Sequence, residues 1–183
     1  PTSTLVEKIS TVGKNAKIAG KSGVSTISQS NIAAVAQFTN DLVKGLVRFT
    51  QLETNKSLIE IDFDGLKPGK HAVAVHEKGD VSGDKCLRCG PHFNPFGKEH
   101  GSPNASQRHA GDLGNVLANE NGQARLVLES DQLNVSDIIG RSVVVYEKED
   151  DFGLSANEQS KIDGNAGERI ACAVVARSAG VQQ

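Results

Sequence analysis

The feature that most constrains this chain is a loop-like stretch that carries three histidines and an aspartate at fixed spacing. The stretch runs from Cys86 to Asp112 and contains His92, His100 and His109 in the pattern H-x7-H-x8-H-x2-D. It is rich in Gly, Pro, Asn and Ser, so it cannot bury a core and is predicted to be a long loop. Three imidazoles and one carboxylate suit tetrahedral zinc, and such an ion would give the loop something to fold around. The alternative is that these are solvated loop histidines.

Outside this loop the sequence alternates between strand-like runs and turns. The strand candidates are residues 31–38, 43–52, 57–66, 71–79, the two halves of 113–130, 141–149 and 169–178. In the third run, Ile59, Ile61 and Phe63 alternate with acidic residues that would face water. A second polar loop covers 150–167, and no convincing helix is found after residue 30. The pattern predicts an all-β fold, an eight-stranded antiparallel Greek-key sandwich or barrel.

The N-terminal residues predict a short helical extension before the strands. Thr4 and Glu7 have the spacing of a capping box, and Leu5, Ile9 and Val12 repeat at helical spacing. A polar stretch then leads to the first strand and is expected to be a linker.

Composition and charge exclude several functional classes. The 20 basic and 22 acidic residues nearly balance, which gives no reason to expect nucleic acid or an anionic membrane as a partner. No apolar run is long enough to cross a bilayer, and the first residues lack the features of a signal peptide. Three cysteines, an odd number, favour a reducing compartment, so a cytoplasmic location is expected.

Five segments resemble, in the same order, segments of the copper/zinc superoxide dismutase family. They are HAVAVHEKGD, CGPHFNPFGKEHGSP, RHAGDLGN, IIGRSVVV and GNAGERIAC. Within that superfamily, NIAAVAQF, the Cys86-x-x-Cys89 pair, DQLNVSDIIGRS and GERIACAVVARSAG are most similar to the central domain of the family's copper chaperones. The resemblance implies the fold type of those enzymes for residues 32–180. It also implies a remnant of a ferredoxin-like metal-binding domain at 1–24 and a linker at 25–31.

The resemblance implies that one metal site is intact and that the other is incomplete. The zinc ligands would be His92, His100, His109 and Asp112, with Asp150 as the carboxylate that hydrogen-bonds a zinc histidine. For Asp150, the alternative is a capping residue in a polar loop.

The family holds copper with four histidines, and two of these positions are changed here. His92, shared with zinc, and His76 remain, while Ala74 and Tyr146 stand at the other two positions. A phenol is a poor donor unless a metal deprotonates it, so the residual site of His76, His92 and Tyr146 is expected to bind copper weakly or not at all. Inefficient superoxide dismutation is therefore expected. Arg169 matches the arginine that guides superoxide, and its alternative role is to hold the second loop through carbonyl groups.

The resemblance also implies a disulfide between Cys86 and Cys172, with Cys89 as a free thiol. Thiol exchange or metal binding by the Cys86-x-x-Cys89 pair are alternatives, and so are three reduced thiols.

Three functions remain open from the sequence. The first is a non-enzymatic domain that docks onto copper/zinc superoxide dismutase as a heterodimer, or pairs with itself, through residues 87–90 and 135–139. The second is a divergent superoxide dismutase with low or residual activity. The third is a zinc-stabilised sandwich that has lost both roles.

Overall fold

The computed structural model describes residues 32–180, which form one antiparallel sheet of eight strands. The strands are β1 (Ala33–Thr39), β2 (Lys44–Glu53), β3 (Lys56–Asp64), β4 (Gly69–His76), β5 (Asp112–Ala118), β6 (Ala124–Ser130), β7 (Ser142–Tyr146) and β8 (Arg169–Ser178). Their order across the sheet is β5-β4-β7-β8-β1-β2-β3-β6. The predicted eight-stranded antiparallel fold is confirmed, whereas the predicted N-terminal helix and linker lie outside the described residues.

The sheet curls into a nearly closed barrel with Greek-key connections. The β3–β4 and β6–β7 connections cross between distant positions in the strand order, as Greek-key topology requires. The two edge strands, β5 and β6, are joined by a tight turn in which Asn119 N donates to Gln123 O at 2.9 Å.

The interior of the barrel is built by the alternation that the sequence predicts. In β3, Ile59, Ile61 and Phe63 are buried while Asp62 is exposed. Phe63 packs edge-to-face against Phe38 of β1, with ring centroids 5.0 Å apart. The alternation therefore places one face of each half of the sheet in a shared apolar core.

Strand β4 is buried on both faces, and this positions the metal loop. Val73 and Val75 pack into the main core, while Ala72 and Ala74 belong to a smaller apolar cluster on the opposite face. At the end of the strand His76 forms a β-bridge with a residue of the long loop, His92. The loop therefore covers the outer face of β4 and brings its histidines against the sheet.

Within residues 32–180 three short helical segments lie in the loops, so the expectation of no convincing helix after residue 30 was wrong. They are a 3-10 turn at Leu87–Cys89, α1 (Val135–Ile138) and α2 (Glu158–Asp163). None exceeds six residues, which is too short for a helical hydrophobic period to appear in the sequence. Within residues 32–180, no helix has the length and apolar character needed to span a membrane.

Candidate metal centre

The three predicted zinc histidines converge on an oxygen atom of the fourth predicted ligand, Asp112. Asp112 Oδ1 lies 2.8 Å from His92 Nδ1, 3.0 Å from His100 Nδ1 and 3.3 Å from His109 Nδ1. One donor atom from each of the four residues lies within 4.8 Å of the others, and all four residues are buried. The structure therefore brings together the full donor set that the spacing predicts.

The second carboxylate oxygen of Asp112 fixes its orientation. Asp112 Oδ2 accepts hydrogen bonds from the backbone N–H of Gly101 at 3.1 Å and of His109 at 2.8 Å. Because these bonds hold one oxygen against the backbone, the other points at the three imidazoles. Asp112 is also the first residue of β5, so the sheet supports the carboxylate from one side.

The arrangement of nitrogen atoms fits a cation better than a set of internal hydrogen bonds. Within residues 32–180, His100 Nδ1 is a buried nitrogen without a hydrogen-bond partner. The Nδ1 atoms of His92 and His109 face each other at 3.1 Å. Buried polar atoms are seldom left unsatisfied, and three imidazoles with one carboxylate are the donors that zinc prefers. These four residues could therefore hold a zinc ion.

The carboxylate and the three imidazoles perturb one another's proton affinities. Burial raises the pKa of Asp112, but the adjacent imidazoles of His100, His109 and His92 outweigh it and hold the pKa far below its ordinary range. Burial lowers the pKa of His100, but the adjacent carboxylates of Asp112 and Asp150 outweigh it and raise the pKa to about 9. Burial lowers the pKa of His92. The cluster thus has an ionised carboxylate at its centre, which favours a bound cation.

The carboxylate of Asp150 lies next to His100, on the side away from the cluster. Its Oδ1 atom is 2.6 Å from His100 Nε2, the nitrogen that points away from the cluster. Its backbone N–H donates to the Asn115 side chain at 2.7 Å, which ties the start of the second loop to β5. A hydrogen-bonded carboxylate of this kind orients an imidazole and fixes which nitrogen faces the metal.

Gly164, which no sequence motif marks as functional, makes room for the contact between Asp150 and His100. Gly164 ends α2 with φ +72°, and a Cβ atom there would collide with the Asp150 carboxylate and crowd His100 Nε2. A side chain at position 164 would therefore displace both partners. The position lies in the GNAGERIAC segment, but only the structure shows what the glycine approaches.

At the predicted copper site, the Tyr146 hydroxyl lies between the two remaining imidazoles. Its oxygen is 2.8 Å from His76 Nε2 and 3.1 Å from His92 Nε2. A phenol can donate one hydrogen bond and accept another, so it can satisfy both nitrogens at once. Burial raises the pKa of Tyr146, which keeps the phenol protonated, and burial together with the neighbouring His92 lowers the pKa of His76.

Ala74 stands at the other changed copper position, and Arg169 is the predicted guide for superoxide. Neither is free to serve a copper ion in this structure. Ala74 is buried in the small apolar cluster with Tyr146 and Cys86 and offers no donor atom. Arg169 Nη1 donates to the Cys86 carbonyl at 3.0 Å, so this contact holds the metal loop and not the second loop. Two imidazoles bridged by a neutral phenol do not fit the four-histidine copper site.

Cys86 and Cys172 form a disulfide with their Cα atoms 6.0 Å apart, while Cys89 is free and buried. The disulfide joins the metal loop to β8.

The fold and the site define the class of this protein as a nearly closed Greek-key barrel with a buried histidine–aspartate metal cluster. The family model for copper/zinc superoxide dismutase (SODC) matches residues 43–175. The chain belongs to the copper/zinc superoxide dismutase family. The predicted fold type is thereby confirmed.

Similar proteins include both chaperones and enzymes. The copper chaperone for superoxide dismutase of Homo sapiens is 52% identical over 141 residues, which cover 77% of this chain and 51% of the human protein. The chain thus spans about half of that relative's length. "Superoxide dismutase [Cu-Zn] 5" of Dictyostelium discoideum is 44% identical, over 80% of this chain and 99% of its own. A crystal structure described as that of the clock protein EA4 has a TM-score of 0.75 at 44% identity and covers 80% of this chain and 95% of its own. These findings confirm the resemblance to copper chaperones with a superoxide dismutase-like domain.

Proposed function

We propose that this chain is the zinc-binding, copper-site-deficient domain of a copper chaperone, and that it docks onto copper/zinc superoxide dismutase and aids its maturation. The observation that carries the proposal is the Tyr146 hydroxyl, which hydrogen-bonds the two imidazoles of the residual copper site. An enzyme of this family needs those nitrogens for copper, whereas a docking domain does not. The similarity to copper chaperones supports the same conclusion.

The zinc cluster gives this domain an ordered loop. Zinc held by His92, His100, His109 and Asp112 would balance the buried carboxylate and add its binding free energy to the stability of the fold. Two of these ligands are oriented by hydrogen bonds: His100 by the Asp150 carboxylate, and Asp112 by backbone N–H groups. The cluster therefore has a structural role in this proposal.

The docking surface in this proposal consists of residues 87–90 and 135–139. Lys78 connects the first segment to Ser142, the first residue of β7, which follows the second segment in the chain. Its N–H donates to the Cys89 carbonyl at 2.9 Å, and its carbonyl accepts a hydrogen bond from Ser142 Oγ at 2.6 Å, shortly after α1. Leu87 is 64% exposed and supplies an apolar contact. A shallow groove of about 450 Å³ extends the surface and is lined by Ile32, Ala33, Ser136, Ile139, Arg177 and Ser178.

The proposed occupant is a subunit of copper/zinc superoxide dismutase. This chain aligns with 99% of one protein named as that enzyme, so the two barrels can present matching surfaces. A self-complementary surface of a two-fold dimer can also pair with a homologue. The same argument allows a homodimer, and the mass of the complex distinguishes the two.

Analytical ultracentrifugation of the full chain with a metal-free client dismutase tests docking. A heterodimer is expected at micromolar concentration. Leu87→Glu should weaken it at least about tenfold, because it places a charge in the apolar contact. Leu117→Glu is the matched control, since Leu117 is 65% exposed on β5, outside the docking surface. Absence of a complex with the wild-type chain would contradict the proposal.

A divergent superoxide dismutase is the second candidate, and the full-length match to the Dictyostelium enzyme favours it. Metal analysis after copper loading, combined with a dismutase assay, separates the two functions. The chaperone proposal expects zinc without stoichiometric copper and little turnover. Stoichiometric copper with substantial turnover would favour the enzyme.

A further inference from the structure

The side chains of Cys86 and Cys89 are buried beneath the proposed docking surface and take no part in zinc binding, yet all three cysteines meet at one place. Cys86 and Cys89 are buried in the small apolar cluster on the outer face of β4, and Cys172 packs against that cluster. Cys89 is completely buried as a free thiol, and its Sγ lies 3.6 Å from the Asp80 carbonyl. A free thiol therefore lies in the same cluster as a disulfide.

The backbone between the two cysteines of the pair is a tight turn. Cys89 N donates to the Cys86 carbonyl at 3.1 Å, which closes a turn over residues 86–89. In such a turn the first and fourth Cα atoms lie within about 7 Å of each other, which overlaps the separation that a disulfide spans. Both side chains pack into the same small apolar cluster. Cys86 is thus placed to bond either Cys172 or Cys89.

The backbone at Cys86 is also strained. Lys85 and Cys86 are consecutive non-glycine residues with φ of +55° and +57°. The left-handed region is unfavourable for such side chains, and it persists where the surrounding structure enforces it. The disulfide to β8 and the Arg169 hydrogen bond to the Cys86 carbonyl are two of the contacts that hold this conformation. A change of disulfide partner would remove one of these two constraints.

We propose that Cys89 is an internal exchange partner for the Cys86–Cys172 disulfide. The Cys89 thiol loses its proton, and the thiolate attacks Sγ of Cys86. A Cys86–Cys89 bond forms as the Cys86–Cys172 bond breaks, and the Cys172 thiolate that leaves takes up a proton. One disulfide and one thiol are present before and after, so the step needs no oxidant or reductant. The exchange releases the covalent tie between the metal loop and β8, and it does not depend on the docking proposal.

Trapping with N-ethylmaleimide tests the exchange on the full, folded chain. The protein is held without added thiol at about pH 8, where a thiol is partly ionised. It is then alkylated, acidified and digested with pepsin, and the peptides are mapped by mass spectrometry. The expected result is a linked Cys86–Cys89 peptide together with maleimide on Cys172.

The matched control is Cys89→Ser, which keeps the native disulfide but lacks the attacking thiol. Labelling of Cys172 should fall at least about tenfold in this variant if the exchange is internal. Maleimide on Cys89 alone in the wild-type protein would overturn the proposal, and so would equal labelling of Cys172 in both proteins. A second variant, Cys172→Ser, should form the Cys86–Cys89 disulfide with oxidised glutathione while it remains folded. A folded Cys172→Ser protein that carries only mixed glutathione disulfides would also overturn the proposal.

Discussion

The Tyr146 hydroxyl lies 2.8 Å from His76 Nε2, so the phenol is hydrogen-bonded to one of the two imidazoles that remain at the family's copper site. The other nitrogen of His76, Nδ1, is 2.8 Å from the Gly90 carbonyl. Both ring nitrogens therefore have partners within the protein, and the ring is held in place without a metal. A copper ion at His76 would have to displace the phenol, which is itself buried and hydrogen-bonded to His92.

Restoration of both missing histidines is expected to restore copper binding. Ala74→His supplies a donor from β4, and Tyr146→His removes the phenol and adds the fourth imidazole. The double variant should bind about one copper ion per chain, because four imidazoles suit Cu(II) and two do not. The measurement is copper and zinc content by atomic spectroscopy, with electron paramagnetic resonance to identify nitrogen ligands.

Tyr146→Phe is the control for this experiment. It removes the hydroxyl but adds no donor, so it should leave copper binding weak while the tie between His76 and His92 is lost. Strong copper binding by Tyr146→Phe would show that the hydroxyl alone excludes the ion. If the double variant folds but does not bind copper, changes outside the two ligand positions must prevent copper binding.

A second prediction concerns the carboxylate behind the zinc cluster. Asp150→Asn is expected to lower zinc affinity about 10- to 100-fold, because the carboxylate that orients His100 is replaced by a neutral amide. Competition with a chromophoric zinc chelator measures the change. Asp131→Asn is the matched control, since that carboxylate pairs with Arg108 and contacts no metal donor. If wild type and Asp150→Asn bind zinc with equal affinity, Asp150 serves only as a capping residue of the loop.

The sequence was sufficient to predict the features that depend on local pattern. Strand-like runs between turn residues located all eight strands, and period-two alternation was clean in the third, where Ile59 and Phe63 are buried beside the exposed Asp62. The ordered spacing of His92, His100 and Asp112 identified residues that the structure brings together. These predictions succeed because strands and metal ligands can be recognised from the types and spacing of residues that are close together in the sequence.

Features that depend on contacts between distant segments could not be predicted. Replacement of a histidine by Tyr146 was visible in the sequence, but the hydrogen bonds of its hydroxyl to two imidazoles were not. The need for glycine at position 164 arises from its approach to Asp150 and His100, which no local pattern records. The short helical segments were not predicted, because a helix of one or two turns depends on tertiary packing more than on its own sequence.

A third prediction concerns acid stability of the second loop. Partial burial raises the pKa of Asp151, but hydrogen bonds from Ser155, Ser160 and Asn165 outweigh it and lower the pKa to about 2. Because the folded pKa is below the unfolded value of about 3.9, the carboxylate stabilises the fold above about pH 4. This contribution is lost as the pH falls from about 4 towards 2. After allowance for solvent screening it amounts to about 1 kcal/mol.

Asp151→Asn should therefore reduce the free energy of unfolding near neutral pH, and its difference from wild type should shrink below about pH 4. Urea unfolding of the metal-free proteins across this range measures the difference. The exposed Asp41→Asn is the control and should stay within about 0.5 kcal/mol of wild type throughout. A difference between Asp151→Asn and wild type that is independent of pH would attribute the effect to packing instead of charge.

The last prediction concerns Arg141, which joins the metal loop to α1 within the docking surface. Its guanidinium carbon lies 4.2 Å from the centre of the Phe93 ring, next to His92 in the chain. Its Nε donates to the Asp137 carbonyl at 2.7 Å, and its Nη1 donates to the Glu77 carbonyl at 2.8 Å. Loss of these contacts should free both carbonyls and loosen the end of α1.

Arg141→Gln is expected to lower the free energy of unfolding by about 1–2 kcal/mol, from one cation–π contact and two charge-assisted hydrogen bonds that are partly exposed to water. It should also weaken the complex with the client dismutase, while zinc affinity changes little because no metal donor is touched. Urea unfolding of the zinc-saturated protein and sedimentation of the complex provide the two measurements. Arg125→Gln is the matched control, since that arginine forms only an exposed ion pair with Asp62 and should cost less than about 0.5 kcal/mol. If Arg141→Gln were destabilised as expected but bound the client as tightly as wild type, α1 would have no part in docking.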